Sequence, residues 1–180
     1  MNYTCTKSSA IVYNIRLPGM GGWAKVSIEE WEKGGLFQAV TDFGNYSHTW
    51  MSIGDRCLRQ FLIGLDYSYF MTKAHSSHGT EFDAEATAEE IRKQIGDECA
   101  DDPARGKLCN EILDDIWDDL NGVDEREFFQ VISESDLFDE FFDCDYHGIP
   151  SCSRRHPECN GFWTRIWPCL CEVWKKELDE

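Results

Sequence analysis

Leu36-Phe-Gln-Ala-Val-Thr-Asp-Phe-Gly-Asn-Tyr-Ser-His-Thr-Trp-Met-Ser52 is the stretch that decides the fold. Two runs that alternate apolar with polar side chains, Leu36 to Thr41 and Tyr46 to Ser52, flank Asp42-Phe43-Gly44-Asn45, which has turn chemistry. A period of two sends successive side chains to opposite faces of a strand, so Tyr46, His48 and Trp50 share one face and the two runs read as a hairpin. The same alternation continues upstream. Ile11, Tyr13 and Ile15 alternate with Val12, Asn14 and Arg16; after Pro18-Gly19-Met20-Gly21-Gly22, Trp23, Lys25 and Ser27 alternate with Ala24, Val26 and Ile28. Together these runs predict a four-stranded antiparallel meander. Ser27 stands three residues before Glu30, the spacing of a capping box, which predicts one helical turn through Trp31 ended by Gly34 or Gly35.

Beyond Gly54 the apolar period lengthens to about 3.6. Leu58, Phe61, Leu62 and Leu65 fit one helix face, and Asp66 caps a second helix carrying Tyr67, Phe70 and Met71. His75-Ser-Ser-His-Gly79 reads as a loop. Asp83 or Thr87 starts a helix through Ile91 and Ile95 that ends near Asp101-Asp102-Pro103. Lys107 to Leu120 is the clearest helix, with Leu108, Ile112, Ile116, Trp117 and Leu120 on one side and Glu111, Asp114, Asp115 and Asp118 on the other. Asn121-Gly122 ends it. Asp124 caps a further helix with Phe128, Phe129 and Ile132, Leu137 to Phe142 adds a turn, and a loop containing Cys and His runs to Arg155. Pro157 opens the last helix, where a missing N–H costs nothing, and the stripe Phe162, Trp163, Ile166, Trp167, Leu170, Val173, Trp174 follows. Pro168 inside that stripe predicts a kink. The fold class expected is α+β: an N-terminal four-stranded antiparallel sheet with several helices packed on one face. One domain is expected over 1–180, with a β-rich half (1–53) and a helical half (54–180).

The charge is placed, not spread. Of a net charge of -17, the segment from Glu81 to Asp145 holds 23 acids against 5 bases, leaving 11 acids and 12 bases elsewhere. Such an acidic chain excludes nucleic acid and anionic membrane as direct partners and points to a basic protein surface. Glu111-Ile-Leu-Asp-Asp-Ile-Trp-Asp-Asp-Leu120 is the densest piece, with no base interleaved. Like charges at i, i+4 cost roughly 0.2 to 0.5 kcal/mol per pair. On a continuous helix the five acids cover about 12 Å, one charge per ~2.4 Å, against one per ~3.4 Å on a DNA strand. Glu111, Asp114, Asp115, Asp118 and Asp119 are therefore the candidate partner-binding residues, a face able to stand in for a nucleic-acid backbone. The plainer reading of the same residues is a solvated face.

Metal and nucleophile chemistry is weakly signalled. Cys144-x2-His147-x4-Cys152-x3-His156-x2-Cys159 offers five zinc-ligand types within 16 residues, but without a close cysteine pair, so no metal or cofactor is expected and structural zinc is the alternative. Cys169 and Cys171 face different ways on a helix. Cys57 and His48 flank one turn region and read as a buried thiol and a strand-face imidazole rather than as a catalytic pair. His75 and His78 sit in a generic Gly/Ser loop. Asp42-Phe43-Gly44 imitates the kinase metal-binding tripeptide without its companion motifs. No catalytic residue, and no enzyme, is expected. Nine irregularly spaced cysteines, no apolar run of 18 residues and no signal-peptide pattern predict a reduced protein of the cytoplasm that does not enter a membrane.

Val40-Thr-Asp-Phe-Gly-Asn-Tyr-Ser-His-Thr-Trp50, Phe61-Leu-Ile-Gly-Leu-Asp-Tyr-Ser-Tyr-Phe-Met-Thr-Lys73 and Phe162-Trp-Thr-Arg-Ile-Trp-Pro168 resemble segments of small proteins encoded by phages and other mobile elements. Within that group the chain looks like a type II-A anti-CRISPR, an inhibitor of Cas9. The resemblance implies a non-enzymatic inhibitor working in the bacterial host cytoplasm, with Cas9 or its guide-RNA complex as partner. It assigns no residue a role, so the acidic face carries the site expectation. The alternatives are a zinc-stabilised adaptor for a host protein and an enzyme that modifies a host defence protein.

Overall fold

The computed structural model describes every residue except Met20 and 76–78. The expected loops at 18–22 and 75–79 contain these residues, and to that extent lie outside the described ones. β1 (Ile11–Arg16), β2 (Trp23–Trp31), β3 (Gly34–Thr41) and β4 (Gly44–Trp50) form one antiparallel sheet in chain order. The alternation sets its two faces. Ala24, Val26 and Ile28 of β2, Phe37 and Ala39 of β3, and Tyr46 and Trp50 of β4 are buried, while Lys25, Gln38, Val40, Ser47 and Thr49 face outward. Register aligns Val26, Ala39 and Tyr46 across three strands on the buried face.

The helical turn expected at Ser27–Trp31 is not formed. Glu29, Glu30 and Trp31 continue β2 and pair with Leu36, Gly35 and Gly34. Glu30 does not reach back to a cap: its Oε2 accepts from Arg59 Nε at 3.2 Å and Nη2 at 2.9 Å, and its Oε1 from the Arg59 backbone N–H at 3.0 Å. Gly34 and Gly35 are strand residues for a steric reason, since a Cβ would lie 2.1 Å from the Trp50 carbonyl oxygen at the first and 2.6 Å from that of Glu29 at the second.

Helices cover one face of this sheet. α1 (Leu58–Ile63) begins with a capping box in which Cys57 Sγ accepts from the Gln60 backbone, and Asp66 caps α2 (Tyr67–Ala74), accepting from Tyr69 N at 2.8 Å. The chain returns through β6 (Ser153–Arg155) to the C-terminal helices. These are α8 (Pro157–Gly161), with Pro157 in its first turn, and α9 (Trp167–Asp179), joined by a π-helical turn over Phe162–Ile166. That turn is the form the irregularity at Pro168 takes. Proline has no N–H and crowds the carbonyl of Thr164, four residues back, and the wider turn makes room. Rings fill the interior, with Tyr46 stacked on Phe162 at 4.1 Å and Phe70 against Trp167 at 4.4 Å between centroids.

The remaining elements have their own core. β5 (Thr80–Phe82), which pairs with β6, precedes α3 (Ala84–Glu98), α4 (Pro103–Asp115), α5 (Trp117–Leu120), α6 (Glu125–Glu134) and α7 (Asp136–Glu140). Ile91, Ile95, Cys109, Leu113, Leu120, Phe128, Ile132 and Leu137 are fully buried in a second apolar cluster, separate from the one under the sheet. By its contacts the chain divides into two compact units, 1–80 with 155–180, and 81–154. The apolar stripes of α1, α2, α8 and α9 are spent on the sheet, which places these helices in the first unit.

Lys107 to Leu120 is not one helix. α4 starts earlier, at Pro103, with Asp102 as its cap, and the regular turn breaks at Ile116 before α5. Asp102-Pro103 marks a start, an N-cap followed by an N1 proline, rather than the end expected there. The buried line is also rotated by one residue. Cys109 and Leu113 are enclosed, whereas Leu108 is 46% exposed and Ile112, Ile116 and Trp117 are half-buried.

Candidate functional site

Unit 81–154 contains 23 acids and 6 bases, and the other unit 11 of each, so the whole net charge of -17 belongs to one compact body. Twenty of those 23 acids are exposed. Some have structural employment. Asp83, Asp102 and Asp124 cap α3, α4 and α6, each accepting a backbone N–H at 2.9 to 3.1 Å, and Asp145 does the same for a single 3-10 turn at Tyr146–Gly148. Among the described residues, most of the others accept from no backbone group.

The five candidate acids fall on two short helices. Glu111, Asp114 and Asp115 lie on α4, and Asp118 and Asp119 in the first turn of α5, where negative charge meets the positive end of the helix dipole. The break at Ile116 removes the continuous ladder of charge expected from the sequence. Nor is the face wholly uncompensated. Glu111 pairs with Lys107 at 3.2 Å, and Asp114 with Arg92 at 2.8 Å. Asp115, Asp118 and Asp119 are exposed and make no ion pair among the described residues. A cleft of about 360 Å³ elsewhere in the unit is lined by Glu81, Asp83, Glu85, Asp124 and Arg154, and the Glu81–Arg154 pair at 2.8 Å occupies its wall.

The five zinc-ligand candidates do not form one group. Cys144 is exposed and donates to Asp139 Oδ1 at 3.0 Å, which pushes its thiol up from the usual range. His147 is exposed on the 3-10 turn. The backbone of Cys152 donates to Thr87 Oγ1 at 3.0 Å and accepts from Asp83 N at 2.9 Å, tying the approach of β6 to the start of α3. His156 and Cys159 belong to the other unit. Among the described residues no three His, Cys, Asp or Glu side chains are gathered to hold a metal ion.

Cys159 has a neighbour that its sequence context hides. Its Sγ, fully buried, lies 3.6 Å from Nδ1 of His75, the residue that follows α2. Burial pushes the Cys159 thiol up; burial, and then the charge of His156, push the His75 imidazole down. The hydroxyl of Tyr46 donates to the Phe43 carbonyl at 2.6 Å and stands against the same sulfur. His78 lies outside the described residues. The other pair weighed from the sequence resolves into structural roles: Cys57 caps α1, and His48 packs edge-on against Trp50 at 4.6 Å between centroids. Asp42 accepts from Trp23 N at 3.0 Å and has a turn role. Among the described residues no helix is long and apolar enough to cross a membrane.

A model described as a phage family, Phage_phiTE_072, matches residues 3–176. No curated protein and no solved structure matches the chain.

Proposed function

The chain belongs to this phage family, and from that premise we propose that it is a non-enzymatic inhibitor whose acidic unit binds a basic surface of a bacterial defence effector. One observation carries the reading. All of the net charge resides on unit 81–154, outward-facing on a body with its own apolar core, while the rest of the chain balances to zero. Solubility alone does not require such segregation. Charge concentrated on one side steers association with an oppositely charged groove. Cas9, the partner implied by the resemblance to type II-A anti-CRISPR proteins, offers one: it holds the guide–target heteroduplex in a positively charged channel. The acids supporting contact are Asp115, Asp118 and Asp119, with Glu111 and Asp114 beside them held partly by their own ion pairs. The non-enzymatic part of the reading is supported by the capping role of Cys57 and the raised pKa of the Cys159 thiol, since a nucleophilic cysteine needs the opposite shift.

The test is capture of purified Cas9, Cas9 with guide RNA, and Cas9 with guide and target, with DNA cleavage measured in parallel. Wild-type protein is expected to bind one of these states and block cleavage at a one-to-one ratio. Asp115→Lys, Asp118→Lys and Asp119→Lys together are expected to abolish both while leaving the circular dichroism spectrum unchanged. Full inhibition by the folded triple variant would remove the acidic face from the reading. Inhibition well below one-to-one, with turnover, would replace binding by catalysis.

A further inference from the structure

Helices pack on one face of the β1–β4 sheet, and the side chains of the other face are exposed. Period-two alternation puts Asn14 and Arg16 of β1, Trp23 and Lys25 of β2, Gln38 of β3 and Asn45 of β4 on that outer face. Register sets them side by side. Arg16 stands opposite Trp23 and Asn14 opposite Lys25, and the second row continues from Lys25 through Val40 to Asn45, crossing all four strands. Trp23 therefore has one cation beside it on the facing strand and another two residues along its own. Two hollows, of about 390 and 460 Å³, lie on this face and meet at Lys25, one toward Gln38 and Asn45 and the other toward Asn14, Arg16 and Trp23.

The charged groups here are uncommitted. Elsewhere in the same unit Arg59 is held by Glu30 and Glu177, and Lys176 by Glu172. Neither Arg16 nor Lys25 makes an ion pair or a side-chain hydrogen bond among the described residues, and the Trp23 indole, 40% exposed, takes part in no ring or cation–ring contact among them. The acid that β2 places on this face, Glu29, is six residues along from Trp23, and the nearby Asp42 spends its Oδ2 on the Trp23 backbone N–H at 3.0 Å. An open antiparallel sheet presents polar side chains to water, which accounts for the amides. It does not account for a tryptophan left in water between two free cations, in a chain that is otherwise acidic.

A single nucleic-acid strand complements each part. Any base stacks on an exposed indole, phosphates pair with Arg and Lys, and Asn and Gln amides meet base edges. Three strand spacings give roughly 14 Å of width, and four-stranded sheets lay out two or three bases in this way. A duplex keeps its bases stacked inside and offers the indole nothing. The net charge of -17 opposes a polyanion, but it belongs to unit 81–154, whereas the unit that carries the sheet has 11 acids and 11 bases. Total charge averages two bodies that the structure separates.

We propose that the outer face of the β1–β4 sheet binds single-stranded nucleic acid. Trp23 stacks on a base, Arg16 and Lys25 hold the phosphates on either side, and Asn14, Gln38 and Asn45 meet base edges or sugar. The site is independent of the acidic face and of the inhibitor reading.

The test is a titration of the isotope-labelled full chain with short oligothymidylate and oligouridylate at physiological ionic strength, followed by NMR of the indole and backbone N–H signals. The Trp23 indole, identified by its absence from W23F, and the amides of Lys25, Val40 and Asn45 are expected to shift in a saturable way, and to stay unmoved when the same strand is supplied as a duplex. A larger response to the uridylate would bring the ribose hydroxyls into the site, and an equal one would confine it to base and phosphate. W23A is expected to weaken binding about tenfold or more. R16E with K25E should abolish it, while K33E with K175E, an equal change of charge on exposed residues of the same unit, should leave it near wild type. No shift at millimolar strand would overturn the site, as would equal shifts with an acidic peptide of the same length or equal loss in the two charge variants. The wild-type titration does not depend on the variants folding.

Discussion

Single residues repay the sequence where their interactions are local. Asp66, Asp83 and Asp124 cap helices as their spacing predicts, because a cap is made within three residues of the chain. The His75–Cys159 contact spans 84 residues and has no local signal in the sequence. Tyr13 is a second long-range case. Its hydroxyl donates to Glu177 Oε2 at 2.8 Å, and burial first, then that hydrogen bond, push its phenol up to about 12. The folded state thus holds the neutral phenol more firmly than the unfolded chain, whose tyrosines ionise near 10. The associated stability is present in full below about pH 10 and is lost as pH rises through about 12. Urea unfolding followed across that window should show a steeper loss for wild type than for Tyr13→Phe; parallel curves would refute the assignment.

At the scale of elements, period-two alternation decided the sheet and failed only where a second signal competed with it. Ser27-Ile-Glu-Glu30 carries a capping box, but the pairing of Glu30 with Gly35 and its grip on Arg59 hold the segment extended. Tertiary contacts that the sequence does not display outweigh a cap worth about 1 kcal/mol. The acidic helix failed differently. The helix begins four residues earlier and breaks at Ile116, and its buried line passes through Cys109 and Leu113 rather than through Leu108 and Ile112. Caps also separate structural acids from available ones. Asp124 accepts from Glu127 N at 2.9 Å at the head of α6, so Asp124→Ala is expected to lower stability by about 1 kcal/mol. Asp124→Asn, which keeps the acceptor and removes the charge, should leave the urea midpoint near wild type. Equal loss in both variants would mean that the carboxylate charge, not the cap, stabilises this end.

For the whole molecule, the sequence revealed that the charge is concentrated but not that it coincides with a compact unit, since that boundary depends on which apolar stripes the sheet consumes. The coincidence makes a quantitative comparison possible. Asp115→Lys, Asp118→Lys and Asp119→Lys change the net charge as much as Glu32→Lys, Asp179→Lys and Glu180→Lys, all six residues being exposed, but the first set lies on unit 81–154 and the second on the other. If binding followed total charge, the two variants would associate with the proposed basic partner equally slowly. Attraction at a contact face acts within about a Debye length, roughly 8 Å at physiological ionic strength, so position decides. The wild-type association rate with Cas9, the proposed partner, should fall steeply as salt is raised. The first variant should lose both the rate and its salt dependence, while the second retains both. Surface plasmon resonance across a salt series distinguishes these outcomes, and equal slopes for the two variants would show that net charge, not the acidic face, governs the encounter.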